Sequence, residues 1–408
     1  MKSKKITKCR VCNSLNIKIA FSLGNIAHSG IFPSKKNINV PKDHIIVMFC
    51  KDCSLVQLDR DFNLKYMFGK NYGYRSGINN TMSKHLKSLV NKISKKFFIK
   101  KNDYVLDIAS NDGTLLNSYD KNIIKVGIDP LVNKFKKNYK KINYKISNFF
   151  DIKCFSKLKI PKFKIITAIA VLYDLPKPNK FIKDIKEILD VNGVFIVEVA
   201  DLHLTLRNNI FDTFCHEHLE YYSFKSLNKL LSKNDLKIFD HEFSSINGGT
   251  SRYYISHSKS IYKVSKNLKK IQKLERKFNT NSFSSLKKFF FSINKLNIEF
   301  KKKIIKFKKE NKKIHGYGAS TKGNVLIQFY NLNSDHLSCI AERNSQKFNC
   351  FTPGSKIKIV SESVSRKLQP DYYIVFPWHF KNEILKREKK IRKKGTKFIF
   401  PLPHLQII

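Results

Sequence analysis

Short apolar runs alternate with amphipathic stretches through the middle of the 408-residue chain. The runs at 105–108, 165–172 and 193–199 have the length of buried strands, and the apolar spacing at 178–189 is helical. A polar turn and a helix start, at 114–119, follow the first run. This order predicts a parallel α/β sheet with helices on its faces.

The pattern changes twice after residue 256. From 257 to 312 the chain is lysine-rich, and its apolar spacing predicts two helices whose buried side chains are Ile271, Leu274, Phe278, Leu286, Phe289 and Phe290. From 313 a strand, a glycine turn and a helix start predict a second α/β unit. We therefore predict four parts, with boundaries at 1–65, 66–256, 257–312 and 313–408.

The composition supports folded domains, since 42% of the residues are hydrophobic and 12% are aromatic. The net charge of +48 comes mostly from lysines spread along the chain, which favours a compositional bias over a nucleic-acid footprint. A zinc-containing nucleic-acid-binding protein stays open as an alternative. The basic N-terminus precedes no apolar region, and no apolar run nears the ~18 residues that predict a membrane span. We expect a cytoplasmic protein that does not bind membranes.

Four of the eight cysteines form two CxxC pairs, Cys9 with Cys12 and Cys50 with Cys53. Four thiolates complete the tetrahedral shell that Zn²⁺ prefers and leave no position for a substrate. The N-terminal part is therefore predicted to be a zinc-binding module with a structural ion. Redox-active or unpaired thiols are the alternative.

The turn after the strand at 105–108 is the most informative local feature. Asp107 lies near the end of that strand, and Ala109, Asn111 and Gly113 belong to the turn. About 20 residues later Asp129 ends a second strand, where a carboxylate accepts hydrogen bonds from ribose hydroxyls. The turn lacks two glycines of the dinucleotide fingerprint. An acidic turn of this kind suits S-adenosylmethionine, which carries a sulfonium cation, better than NAD.

The segment at 212–223 is rich in titratable side chains, among them His216, Glu217 and His218. Histidine transfers protons well near neutral pH, so these residues are catalytic candidates, and Tyr222 beside them is a substrate candidate. A solvated loop or a His-x-His metal pair is the alternative.

Later turns supply further substrate candidates. A glycine turn at 247–252 leads into a strand and could border the substrate, and a plain hairpin is the alternative. The turn at 316–324 begins a helix whose N-terminus suits a phosphate. A structural βα loop is the alternative there. The candidates are Asn247, Arg252, Ser320, Lys322, Glu342 and Arg343.

Taken in order along the chain, these motifs resemble the zinc-containing sugar C-methyltransferases that make 3-C-methyl deoxysugars. The resemblance spans nearly the full length and rests on the double CxxC and on the segments VLDIASNDGTLL, FDTFCHEHLEYYS, NGGTSR, GYGASTKGN, FTPGS and FPWHF.

The resemblance implies a zinc module, a central class I Rossmann-type methyltransferase domain and a C-terminal Rossmann-like domain that holds the nucleotide of a sugar substrate. It also implies methyl transfer to the carbon beside a 4-keto group, with His218 as the base and His216 and Glu217 lining the site. Tyr72 and Tyr74 would lie near cofactor or substrate, although their segment alone reads equally as an aromatic staple or a lid.

Two positions depart from the family pattern. Cys215 stands where many relatives have tyrosine, and residues 173–175 stand where some have a histidine. Both leave the sugar open, and an O- or N-methyltransferase acting on a related sugar remains an alternative. The sequence does not bear on the oligomeric state.

Overall fold

The computed structural model describes residues 3–63, 67–69, 72, 74–155, 158 and 160–408. Its strands, in chain order, are β1 (Lys4–Lys5), β2 (Ile17–Ala27), β3 (Lys42–Cys50), β4 (Val56–Leu58), β5 (Arg60–Asp61), β6 (Tyr104–Ile108), β7 (Ile124–Ile128), β8 (Tyr144–Ile146), β9 (Phe163–Ile169), β10 (Leu189–Ala200), β11 (Glu220–Tyr221), β12 (Leu236–Ser244), β13 (Thr250–His257), β14 (Ile314–Tyr317), β15 (Ile340–Glu342), β16 (Ile359–Ser361), β17 (Tyr372–Val375), β18 (Lys397–Phe400) and β19 (Gln406–Ile407).

The α-helices of the described residues are Asn80–Lys96, Pro178–Ile188, Leu202–Arg207, Phe224–Ser232, Lys266–Lys277, Phe283–Lys309, Thr321–Phe329, Glu362–Lys367, Lys381–Arg387 and Lys389–Lys393. None of these described helices has both the length and the apolar character needed to cross a bilayer.

The central sheet has seven strands in the order β12-β13-β10-β9-β6-β7-β8. The five from β10 to β8 are parallel, and β13 runs antiparallel to both of its neighbours. Because β7 and β9 flank β6 on opposite sides, the loops at their carboxyl ends diverge and leave a crevice there. The predicted parallel α/β sheet is confirmed.

The helix expected at 114–119 does not form. A 3-10 turn, Leu116–Ser118, stands there instead. The preceding turn is held by side chains, since Thr114 Oγ1 donates to Asp112 Oδ1 over 2.6 Å. Such local hydrogen bonds compete with helix formation, and little chain remains before β7.

The N-terminal module has a four-stranded antiparallel sheet in the order β11-β4-β3-β2. Its edge strand β11 comes from the segment that follows His218, so this sheet crosses the predicted boundary at residue 65. The module is therefore joined to the central part by backbone hydrogen bonding as well as by the chain.

The predicted helix pair is confirmed as Lys266–Lys277 and Phe283–Lys309. Among the expected buried residues, Ile271, Leu286 and Phe289 are buried, and Leu274 and Phe290 are half-buried. Phe278 is exposed, contrary to expectation. It follows the last turn of its helix, where its ring lies under the Arg207 guanidinium, 4.8 Å away.

The C-terminal domain is a second Rossmann-like unit. Its sheet has the order β16-β15-β14-β17-β18-β19, parallel except for β19. Trp378, just after β17, donates from Nε1 to Asp212 Oδ2 over 2.9 Å. A Cβ on Gly248 would lie 2.6 Å from the Trp378 ring, so glycine allows the 247–249 turn to pack against this domain.

Candidate active site

A cavity of about 440 Å³ lies at the carboxyl ends of β6, β7 and β9. Its walls come from the central sheet, the segment around residues 72–79, the loop before β11, and the turn that opens the C-terminal domain. Of the residues predicted from the sequence, the cavity is lined by Tyr72, Tyr74, Asp107, Ala109, Asn111, Asp129, Glu217, His218, Asn247, Ser320 and Lys322.

Asp129 is fixed at the cavity wall by backbone groups. Its Oδ1 accepts from Leu131 N over 2.7 Å, and its Oδ2 accepts from Asn111 N over 2.9 Å. Burial and the nearby Asp112 raise the pKa of Asp129 to about 6. Each carboxylate oxygen keeps a further lone pair for a ligand hydroxyl.

The turn after β6 takes a conformation that side chains resist. Ala109 and Asn111 have φ of 57° and 50°, and Gly113 has 73°. Positive φ is costly for alanine, and it brings the backbone close to the cavity. Burial, followed by the charge of Asp129, raises the pKa of Asp107 to about 7, while a 2.6 Å hydrogen bond from Thr167 Oγ1 opposes the rise.

Gly113 is not among the residues that line the cavity, and its predicted cofactor contact stays a prediction. Its N–H closes the turn on Ser110 O over 2.8 Å. A Cβ there would lie 2.9 Å from Ile142 Cδ1, on the side of the turn away from the ligand space. The glycine is needed to shape the turn.

The segment after Tyr74 is fastened to the same turn. Ser76 N donates to Asn111 Oδ1 over 3.0 Å, and Gly77 N donates to Asp112 Oδ2 over 3.0 Å. Arg75 Nε also donates to Asp112 Oδ2, over 3.1 Å. Since Tyr72 and Tyr74 line the cavity, this arrangement favours the lid interpretation of their segment over the staple.

His218 is held in one orientation by the chain itself. Its Nδ1 lies 2.7 Å from Thr213 O, and a carbonyl oxygen only accepts. This hydrogen bond therefore assigns the ring proton to Nδ1 and leaves Nε2 with a lone pair. The ring packs edge-to-face on Tyr173, with centroids 4.6 Å apart. Burial, and then the charge of Lys322, lower the pKa of His218 to about 4, so the ring is neutral at pH 7.

Glu217 lies at the boundary with the N-terminal module. A Cβ on Gly30 would come within 2.5 Å of Glu217 Oε1, so only glycine fits there without displacing the carboxyl. Glu217 Oε2 is buried and has no hydrogen-bond partner among the described residues. Burial raises the pKa of Glu217.

His216 and Tyr222 are not among the residues that line the cavity, and their predicted roles in the site stay predictions. The His216 ring points into the module, 4.4 Å from the His28 ring and 5.0 Å from that of Phe62. Burial, then the charge of His28, lower its pKa to about 3. Tyr222 is fully buried in the core behind the site. Neighbouring side chains in this loop point in different directions, and the sequence does not show which of them face the cavity.

Lys322 and Asn247 meet where the C-terminal domain closes the cavity. Lys322 Nζ donates to Asn247 O over 3.1 Å and lies 3.6 Å from Asp212 Oδ1. Ser320 caps the helix Thr321–Phe329 by accepting from Gly323 N over 3.0 Å.

Glu342 and Arg343 are not among the residues that line the cavity, and their predicted substrate contacts stay predictions. Glu342 accepts from Ala319 N over 2.7 Å and also from the N–H of Arg343, so it braces the glycine turn. The Arg343 side chain points outward and lies 3.5 Å from Glu383.

Arg252 is buried and is not among the residues that line the cavity, and its predicted substrate contact stays a prediction. Its Nη2 donates to Glu198 Oε2 over 2.7 Å, and His85 Nε2 lies 2.9 Å from Glu198 Oε1. Glu198 itself lines the cavity. Its pKa is lowered because the hydrogen bond from His85 and the charges of His85 and Arg252 outweigh burial.

Among the cavity residues that were not predicted as site residues, three carry titratable side chains of particular interest: Asp174, Glu198 and His379. The available signal for Glu198 was an acid near the carboxyl end of a parallel strand, the same signal that marked Asp107 and Asp129. His379 follows β17 in the FPWHF segment, and burial lowers its pKa well below the usual value.

The four cysteines of the double CxxC converge on one point. Their Sγ atoms all lie within 4.8 Å of one another, with Cys9–Cys53 and Cys12–Cys50 each 3.5 Å apart. Tetrahedral zinc with bonds of about 2.3 Å needs sulfurs about 3.8 Å apart, so the cluster could hold such an ion.

Two family models match the chain. Residues 78–241 match a methyltransferase domain, and residues 245–403 match a C-methyltransferase C-terminal domain. The chain is 24% identical to the C-methyltransferase NovU of Streptomyces niveus over 411 residues, which cover 99% of this chain and 97% of NovU.

Two solved structures resemble part of the chain. An S-adenosylmethionine-dependent methyltransferase from Clostridium acetobutylicum is 17% identical, covering 43% of this chain and 92% of its own, with a TM-score of 0.35. The magnesium protoporphyrin IX methyltransferase ChlM of Synechocystis, with bound SAM, is 13% identical. The match covers 43% of this chain and 79% of ChlM, with a TM-score of 0.33. The two domain matches and the full-length likeness to NovU agree: the chain is a methyltransferase whose C-terminal part matches a C-methyltransferase C-terminal domain.

Proposed function

We propose that this enzyme is an S-adenosylmethionine-dependent methyltransferase that methylates the carbon beside the keto group of a nucleotide-linked 4-keto deoxysugar. The observation that carries the proposal is the fixed orientation of the His218 ring in the cavity. Its Nδ1 proton is committed to Thr213 O, and its ring lines the same cavity as Asp129.

The residues present fit the methyl donor. A ribose diol needs a carboxylate at the end of the second strand, which Asp129 supplies in a fixed orientation. A sulfonium cation is favoured by nearby acids, and Asp107 and Glu198 also line the cavity. S-adenosylmethionine, when bound, supplies a methyl group on positively charged sulfur.

The chain's own contribution begins with a proton transfer. His218 Nε2, with its free lone pair, accepts the proton from the carbon beside the ketone, and the C–H electrons pass through the carbonyl to its oxygen. This general-base step typically contributes ~10²–10⁴-fold to the rate. The hydrogen bond from Nδ1 to Thr213 O then stabilises the imidazolium, and His218 later releases its proton to water.

The nucleotide is proposed to lie toward the C-terminal domain. Lys322 supplies a positive charge at the cavity, and the helix Thr321–Phe329 directs free N–H groups to the same end. The net charge of +48 draws a phosphate-bearing substrate toward the protein, an attraction that salt weakens.

The cysteine cluster is proposed to bind a structural Zn²⁺ held by Cys9, Cys12, Cys50 and Cys53. With four thiolates the ion has no open position, and it takes part in no step of the reaction. Its proposed role is to fix the module whose sheet includes β11.

The test is mass spectrometry of products formed from a panel of nucleotide-4-keto-deoxysugars and S-adenosylmethionine. The proposal expects a gain of one methyl group and the loss of deuterium placed on the carbon beside the ketone. A methylated product that keeps the deuterium would mean O- or N-methylation and would refute the proposal.

A further inference from the structure

Asp174 is a buried acid whose position the proposed reaction has not yet used. It ends the 3-10 turn Leu172–Asp174, just after β9, and lines the cavity. Only 8% of the residue is exposed. Its Oδ1 is buried and has no hydrogen-bond partner within the described ranges.

Asp174 belongs to the same wall as the proposed base. It follows Tyr173, whose ring contacts the His218 ring, and Leu219 N donates to Tyr173 O over 2.7 Å. The titratable groups with which Asp174 interacts are acids, phenols and a thiol, namely Tyr72, Tyr173, Cys215, Glu217, Glu220 and Tyr221.

This environment opposes a negative charge on Asp174. Burial first, and then the charges of Glu217 and Glu220, raise the pKa of Asp174 well above its usual value. An anion formed on the substrate would meet further repulsion if these acids were ionised. Two carboxylates in one dry site cannot both be charged, and proteins use an acid kept neutral in this way as a hydrogen-bond donor.

We propose that Asp174 retains its proton and donates a hydrogen bond to the substrate oxygen that becomes negative when His218 removes the neighbouring proton. This rests on the proposed function. The C–H electron pair forms the new C=C bond, the carbonyl pair moves to oxygen, and Asp174 stabilises that oxygen without losing its proton. When the carbonyl re-forms, its electrons return and the new C–C bond forms to the methyl carbon, with the S–CH₃ pair left on sulfur.

Asp174 is a better donor than Glu217 for this role. Glu217 Oε1 is already packed against Gly30, and the Glu217 carboxyl interacts with the Cys215 thiol. The Glu217 charge also raises the pKa of Asp174, which favours the protonated form of Asp174.

The test measures solvent deuterium exchange at the carbon beside the ketone, with S-adenosylhomocysteine in place of the methyl donor. Two variants are compared with the wild type. Asp174→Leu fills the space without a donor, and Asp174→Asn supplies a neutral N–H donor that cannot ionise. Asp335→Asn, an exposed acid of the C-terminal domain, is the control.

The expected result is a fall of about 10²–10³-fold in exchange for Asp174→Leu, the range seen when one oxyanion donor is removed. Asp174→Asn should stay within about 10-fold of wild type and should lose the high-pH decline that ionisation of Asp174 causes. Asp335→Asn should match wild type.

Exchange at the wild-type rate in Asp174→Leu would overturn the proposal. If that variant does not fold, Asp174→Asn decides, because an unchanged high-pH decline in it would also overturn the assignment. A wild type that neither exchanges nor methylates any 4-keto nucleotide sugar would instead refute the proposed function, and the role of Asp174 with it.

Discussion

Arg10, inside the first CxxC pair, lies with its Nε 3.6 Å from Oε1 of Glu220, which is two residues after His218. The same guanidinium donates to Leu58 O over 2.8 Å and contacts Leu219 O at 3.4 Å. Both side chains are almost fully buried. The cysteine cluster and the proposed base are thus joined through one short chain of contacts.

The first prediction concerns this ion pair. Arg10→Met removes the buried guanidinium that pairs with Asp61 over 2.6 Å and lies 3.6 Å from the Glu220 carboxyl, so the free energy of unfolding should fall by about 3–5 kcal/mol. Urea denaturation measures it. The double variant Arg10→Met/Glu220→Gln should recover part of the loss, and no recovery would show that Glu220 is not the group left uncompensated.

The second prediction concerns the metal. Cys50→Ser should reduce bound zinc from one ion per chain to almost none, because three ligands hold the ion far less tightly than four. The melting temperature should fall with it, and turnover should fall more than affinity for S-adenosylmethionine, whose site is built on the central sheet. Metal analysis, thermal denaturation and calorimetry measure these, with Cys350→Ser as the control. A Cys50→Ser variant that keeps its zinc would contradict the assignment.

The third prediction concerns Asp129. Asp129→Ala removes the acceptor for the ribose hydroxyls, and hydrogen bonds to a charged group contribute about 1.5–3 kcal/mol. The dissociation constant for S-adenosylmethionine should therefore rise about 10–100-fold in calorimetry. Asp120→Asn, an exposed acid near β7, should bind like wild type. Equal affinity in Asp129→Ala would place the ribose elsewhere.

The sequence predicts a site residue correctly when its position on a strand or helix is enough to bring the side chain to the cavity. Asp107 and Asp129 end adjacent parallel strands, so strand order fixes their proximity. Lys322 is placed in the same way, by the start of a helix after a glycine turn. These positions follow from local pattern and sheet topology.

The side chains whose surroundings the sequence does not reveal depend on packing between distant segments. His216 turns toward His28 because the N-terminal module covers that side of the loop. Arg252 faces Glu198 because β13 pairs with β10 in a register that the sequence does not reveal. Asp174 acquires its chemistry only from burial beside Glu217.

The fourth prediction concerns pH and stability. His315, fully buried in β14, has its pKa lowered to about 4 by burial and the charge of Lys313. Below pH ~6.5 the unfolded chain takes up this proton and the folded chain does not. Wild type should therefore lose stability as the pH falls from 6.5 toward 4, by up to about 1.4 kcal/mol per pH unit from this group.

The comparison that isolates this group is His315→Asn, whose amide can replace the 2.8 Å contact of Nδ1 with Ser365 Oγ. All other titrating groups are shared, so the difference in free energy of unfolding between the two proteins should shift in favour of the variant as the pH falls. A difference that does not change with pH would show that His315 titrates with the same pKa in the folded and the unfolded chain.

The His218→Gln variant tests whether His218 is the base that removes the proton beside the ketone. The measurement is deuterium loss from the carbon beside the ketone of a nucleotide-4-keto-deoxysugar, followed by mass spectrometry, with binding of S-adenosylmethionine checked by calorimetry in the same preparation. We expect normal binding and at least a 100-fold slower loss of deuterium, since Gln keeps the hydrogen bond to Thr213 but has no basic nitrogen. Deuterium loss at the wild-type rate in this variant would contradict it.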